Sequence, residues 1–235
     1  MTAVLPWITL AVCLAITLAR IPSALRGENR EVFYIFALIS LSIFISIEAP
    51  YLVIDAWVGG MNIVNLILRF LLYGTFYFMG LKIATAFGSP SAVRAIRGPL
   101  GVAAALLVGA LTIYFFVITD TQGSSAGMSG LHWGPSLEAY AFMGRIYPGF
   151  VAACLVPAIW RTVMSTAPIL LRIASALLLL GLSLLLVSQL FPLIPFSEVW
   201  LRVLINYSAA TFTAIGLAGI WASKAFARRK QRLPA

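Results

Sequence analysis

Glu48, Asn65, Arg69, Arg145, Arg202 and Asn206 interrupt long apolar runs, and they are the side chains of this sequence best placed to do chemistry. A charge at the centre of a membrane-embedded helix costs about 2.5–3.5 kcal/mol on insertion scales, so such groups pair, face the bundle interior or line a cavity. Counted at ~1.5 Å per residue from the outer ends of their runs, Glu48, Arg69, Arg145 and Asn206 fall roughly 9–14 Å deep, and Arg202 about 4–6 Å. Asn62, Asn65 and Arg69 follow i, i+3, i+7, and Arg202 and Asn206 follow i, i+4, so each set forms a stripe on one helix face.

One carboxylate stands against three guanidiniums, and two arrangements follow. In the first the charges are structural: Glu48 pairs with Arg69, and Arg202 snorkels to water or to Glu198. In the second a surplus guanidinium faces an outward-open cavity and meets an anionic or carbonyl-bearing solute. The planar fork of Arg stays charged and binds carboxylate or phosphate through two hydrogen bonds. Gly144-Arg145-Ile146-Tyr147-Pro148-Gly149 adds a proline that frees a backbone carbonyl near Gly144, which reads as a kink beside an intramembrane Arg. Pro50 and Pro157 read as kinks in the same way.

Other chemistries find no residues. His132 is the single histidine and has no ligand partners at metal spacing. No Gly-x-Ser-x-Gly, His-Glu-x-x-His or phosphate loop is present, so neither catalysis nor a cofactor is expected. Asn206-Tyr207-Ser208 fits a glycosylation sequon but falls inside a span. The last helix has no lysine over Tyr207 to Gly219, where a retinal protein needs one. Cys13 and Cys154 both fall inside apolar runs and serve as small apolar residues.

The elements that must carry the polar residues are seven predicted membrane helices, at 4–21, 32–54, 61–84, 99–119, 137–160, 168–190 and 199–222, followed by a basic tail at 223–235. Each is continuously apolar and about 20 residues long, the length that crosses ~30 Å of hydrocarbon as a helix. With 62% hydrophobic and 10% charged residues, the chain would expose too much apolar surface to be a soluble domain. The loops after the second, fourth and sixth runs contain Asp55, Asp120 and Glu198 and no Lys or Arg, whereas the remaining connections and the tail are basic. Basic loops stay in the cytoplasm, so the N-terminus is expected outside and the C-terminus inside. Met1–Trp7 carries no basic residue, the reverse of a signal peptide, so the first span is expected to persist.

The net charge of +9 is therefore a topology signal rather than a nucleic-acid footprint. Lys224, Arg228, Arg229, Lys230 and Arg232 are expected to meet anionic lipid headgroups of the surrounding bilayer. The Gly/Ser-rich stretch 123–130 reads as a flexible external linker, Trp133 as an interfacial anchor, and 87–98 as a short basic interfacial helix. Thr75–Leu81 and Thr211–Leu217 share Thr-Phe-x-x-x-Gly-Leu, a weak sign of an internal repeat.

The Asp55-Ala-Trp-Val-Gly-Gly-Met-Asn62 turn, the Arg172-led sixth run and the Ala214-Ile-Gly216 stretch resemble the membrane portion of an actinobacterial family of multi-pass putative transporters of unknown function. That resemblance implies a multi-helix membrane fold and no established activity. A three-plus-one-plus-three sugar-transporter-like fold ranks second, because no Pro-Gln signature is present. The functional expectation is a bacterial inner-membrane protein with an outward-facing Arg/Glu/Asn pocket that binds or transports a small anionic or polar solute. The alternative is a membrane-embedded sensor or accessory subunit acting on a protein partner, with the intramembrane charges purely structural.

Overall fold

The computed structural model describes residues 4–27, 30–128, 130–193 and 199–232, with side chains for all of these except 191–193, 199 and 224–232. Among the described residues the chain is all-helical: α1 (Leu5–Leu25), α2 (Arg30–Ser46), α3 (Glu48–Trp57), α4 (Ile63–Ala86), α5 (Pro90–Arg97), α6 (Pro99–Ile118), α7 (Pro135–Val163), α8 (Ile169–Val187) and α9 (Val199–Arg232). Six helices are long and apolar enough to cross a membrane, or seven if the bent pair α2–α3 is counted as one span. Large apolar side chains such as Leu18, Phe78, Leu106, Val117 and Ile173 point outward along these helices. That surface suits lipid and would not suit water.

The second span departs from its predicted single helix, 32–54. The chain turns by 86° between α2 and α3. Pro50 has no N–H to give to the carbonyl of Ser46, and its ring would crowd that carbonyl, so the helix stops there. Ile47 is extended, with φ −77° and ψ 135°, and α3 restarts with Tyr51 N–H on the Ile47 carbonyl at 3.0 Å. Leu52, Val53 and Trp57 lie on its exposed side, while Tyr51 and Asp55 are buried.

Other expectations fare unevenly. The basic interfacial helix appears as α5, capped by Ser89 Oγ, which accepts from Ala92 N–H; Ala92 and Ile96 are buried, and Arg94 and Arg97 stand in the last turn. Pro148 and Pro157 leave α7 continuous over its 29 residues, so no interrupted helix forms. Arg20, placed in sequence beside a basic loop, is instead buried between α1 and α9 with its guanidinium 4.5 Å from the centre of the Trp221 ring. α9 runs on to Arg232, and the side chains of the basic tail lie outside the described residues. Lys82 Nζ, near the end of α4, meets Glu31 Oε2, at the start of α2, at 2.6 Å. Both groups are exposed, so this pair adds little stability.

The largest core cluster joins Tyr73, Met79 and Ile83 of α4 to Ile96, Val151, Leu155, Ile159 and Leu178 of the neighbouring helices. A second joins Leu10, Cys13, Phe36, Ile43 and Ala214 across α1, α2 and α9. In lipid, helices associate through close packing of small residues rather than through hydrophobic exclusion. The α8–α9 seam shows this: a Cβ built on Gly216 would sit 2.7 Å from Leu178 Cα, and one on Gly181 would sit 2.6 Å from the Thr213 backbone nitrogen. Gly216→Leu should therefore force the two helices apart and cost about 1–3 kcal/mol of overpacking strain or more. A thermal melt in detergent reads this as a lowered midpoint, and an unchanged midpoint would show that the seam is not tight.

Candidate functional site

At the end of the bundle where α4, α7 and α9 begin and α2 and α8 finish, a cavity of about 340 Å³ opens between these five helices. Its lining follows helical spacing. α4 contributes Leu68, Arg69, Leu72, Thr75, Phe76 and Met79, and α2 contributes Ile39, Ser42, Ile43 and Ser46. Gly144, Arg145 and Pro148 come from α7, and Asn206, Tyr207 and Thr213 from α9. No Asp or Glu is among its described lining residues.

Arg69 is held in place from two sides. Its Nε–H donates to Asn65 Oδ1 at 3.3 Å, and its guanidinium carbon lies 4.1 Å from the centre of the Tyr140 ring. Tyr140 Oη donates to the same Asn65 oxygen at 2.9 Å, which ties ring, amide and guanidinium into one unit. Gly144 completes the seat, because a Cβ there would fall on the Arg69 guanidinium. Seating the cation on an aromatic face over a glycine contributes about 0.5–2 kcal/mol by cation–π attraction and leaves its terminal nitrogens at the cavity. The charges of Arg69 and Arg202 both act on Arg145, so three guanidiniums share one neighbourhood.

The six residues singled out from sequence thus separate. Arg69, Arg145 and Asn206 line one cavity, and Asn65 orients Arg69 from behind. Arg202 reaches the site through its charge rather than as a lining residue. Glu48 does not pair with Arg69. It is exposed, it occupies the first turn of α3, and no ion pair joins these two described residues. The break at Ile47 takes Glu48 out of the span that would have carried it past Arg69, and it instead meets the favourable field of the α3 N-terminus. Its suggested partner for Arg202, Glu198, lies outside the described residues. Glu48→Gln should accordingly leave the melting temperature within the range of a surface substitution, about ±0.5 kcal/mol. A loss restored by adding Arg69→Gln would reinstate the ion pair.

Sequence reasoning missed the residues that build the bundle end around α3 and the start of α4. Asp55 is buried and accepts three hydrogen bonds, from Asn62 N–H (3.0 Å), Val64 N–H (3.2 Å) and Ser124 Oγ (2.7 Å). It caps α4, whose first amides have no partner within the helix. Asn62 is not on the α4 stripe: it lies before the helix with φ +57°, a conformation Asn tolerates better than most residues. Its side chain donates to the Thr121 and Gly123 carbonyls and accepts from Tyr51 Oη and Ser125 N–H. Met128 plugs a cluster with Leu137 and Tyr140. The described residues of the stretch expected to be a flexible linker are therefore pinned over this end of the bundle, and Tyr140, which seats Arg69, belongs to the same cluster. The Asx-rich turn Asp55–Asn62 was the available signal, since such residues bond neighbouring backbone.

Ser46 Oγ and Tyr207 Oη, 3.0 Å apart, close the α2–α9 side of the cavity mouth. Among the described residues no cluster of His, Cys, Asp or Glu is placed to hold a metal. These features together define a helical membrane protein with a cationic cavity. Comparison with protein-family models, curated proteins and solved structures finds no match to this chain.

Proposed function

We propose that this chain is a bacterial inner-membrane protein that binds a small anionic solute in the cavity, entering from the outer face. The observation that carries the reading is Arg69: a guanidinium lining a cavity with an amide and an aromatic ring as its described contacts and no carboxylate among the described lining residues. A half-buried cation inside a span, without a described counter-charge, is costly to hold, and a site that keeps one gains from an anion that supplies it. The cavity volume falls at the lower end of small-ligand sites, about 300–1,000 Å³. Thermal shift of the purified protein against a panel of small anions tests the reading. A midpoint raised by at least one of them, and not by neutral analogues, supports it; no shift with any anion refutes it.

The orientation follows from the basic and acidic loops. Cysteine introduced at position 126 should be labelled from outside in intact cells, and cysteine at position 230 only after permeabilisation. Labelling of both from one side would end the seven-span, N-outside reading. A second reading, a sensor or accessory subunit that reports binding to a protein partner, is favoured by the cavity floor. Its deeper lining carries Thr75 and Thr213 and no charge, so no charged path leads inward. Proteoliposomes separate the two: binding without uptake favours the sensor, and uptake favours the transporter.

A further inference from the structure

The cavity is graded along its depth. Arg69, Arg145, Ser46, Ser188, Asn206 and Tyr207 lie on the side of the cavity toward which α2 and α8 finish and from which α4, α7 and α9 begin. Up to three turns further along, the same helices present mainly apolar side chains, Ile39, Leu72, Phe76, Met79 and Pro148, with Thr75 and Thr213 as the polar exceptions. A fully hydrated inorganic ion would fill the mouth and leave this apolar floor empty.

Ser42 adds an independent sign. Serine and threonine hydroxyls in these helices mostly donate to a carbonyl one turn back, as Thr17, Thr75 and Ser46 do. Ser42 Oγ does not: it is buried at 3% exposure, lines the cavity one turn below Ser46, and has no hydrogen-bond partner. A buried hydroxyl without a partner is the kind of group a bound oxygen satisfies.

Resting on the anion-binding reading above, we propose that the ligand is a single-chain organic carboxylate with an unbranched apolar body. Its carboxylate meets Arg69 and Arg145, one of its oxygens accepts from Ser42 Oγ, and its chain lies along Leu72 and Phe76. The rise from Arg69 to Phe76 is about 10 Å at ~1.5 Å per residue. An extended chain with ~1.5 Å bonds advances roughly 1.25 Å per carbon, so about eight carbons fill that length.

The test is calorimetric titration of the protein in phosphatidylcholine nanodiscs with the straight-chain carboxylates from acetate to decanoate, against protein-free discs. Burying each methylene should lower Kd about fourfold, with a plateau near octanoate where the floor is full. Ser42→Ala should weaken octanoate roughly two- to tenfold. Arg69→Gln should weaken the binding of every member by roughly 10–100-fold. Equal Kd for acetate and octanoate, both dependent on Arg69, would overturn the chain-bearing ligand and leave the anion site standing. Affinity that rises with length equally in Arg69→Gln would reduce the effect to partition into an apolar crevice and overturn it as well. No binding by any carboxylate, with phosphate and sulfate also silent, would remove the anion site itself.

Discussion

Asp55→Ala should release the cover at the α3 end of the bundle and lower the thermal midpoint more than any other single substitution in this protein. The carboxylate is buried and satisfies three donors: two amides at the start of α4 and the Ser124 hydroxyl. Alanine leaves two buried amides and the half-buried Ser124 hydroxyl without this partner. Each orphaned buried donor costs about 1–3 kcal/mol. The sum, about 3–6 kcal/mol after some relaxation, is a large part of the ~5–15 kcal/mol that typically holds a fold together. Asp55→Asn is the graded control. Its single oxygen can serve one side of the site, while its amide group points donors at a donor on the other, so about half of the loss should remain. Limited proteolysis of the stretch 120–136, together with a melt, reads both variants. A cover still resistant to protease in Asp55→Ala would show that Met128 and the Asn62 network hold it without the carboxylate.

Arg69→Gln should separate function from stability in opposite directions. If the guanidinium is kept for a ligand, removing it weakens anion binding by roughly 10–100-fold, the worth of a charge-assisted hydrogen bond of about 1.5–3 kcal/mol. The ligand-free protein should melt at the same temperature or higher, because a like charge beside Arg145 has been removed. Sites that hold strained or unfavourable charge for function commonly gain stability when that charge is lost. If the guanidinium is a structural strut, the loss of its contacts with Tyr140 and Asn65 lowers the midpoint instead. Gly144→Ala approaches the same question without touching the charge. Its methyl group occupies the guanidinium's seat and drives Arg69 off the Tyr140 ring, so anion-dependent stabilisation should fall in parallel with Arg69→Gln. A Gly144→Ala protein with full anion response would mean that the seat is not needed to aim the side chain.

The two substitutions act on one continuous structure. Tyr140 seats Arg69 and packs in the cluster that Met128 plugs. Disturbing the Asp55 cap should therefore reach the anion site through Tyr140, although Asp55 does not line the cavity.

Membrane character was legible from sequence alone, because it depends on run length and mean hydropathy, which are local sums. The polar layer was legible too: a charged residue in an apolar run is conspicuous, and helical spacing placed Asn65 and Arg69 on one face. Three matters were decided only by tertiary structure. Pro50 read as a plain kink, yet the turn reaches 86° because α3 finds burial for Tyr51 and Asp55 at the bundle end, and that carries Glu48 out of reach of Arg69. The 123–130 stretch read as a linker from its glycines and serines, yet Asp55 and Asn62, about sixty residues earlier in the chain, supply the partners that pin it. Ser42, Tyr140 and Gly144 carry no local signal of function, since a serine, a tyrosine and a glycine are ordinary in membrane helices. Their roles arise from which helix each one faces. Spacing along one helix defines a stripe, but the partner of that stripe is set by packing between helices far apart in sequence.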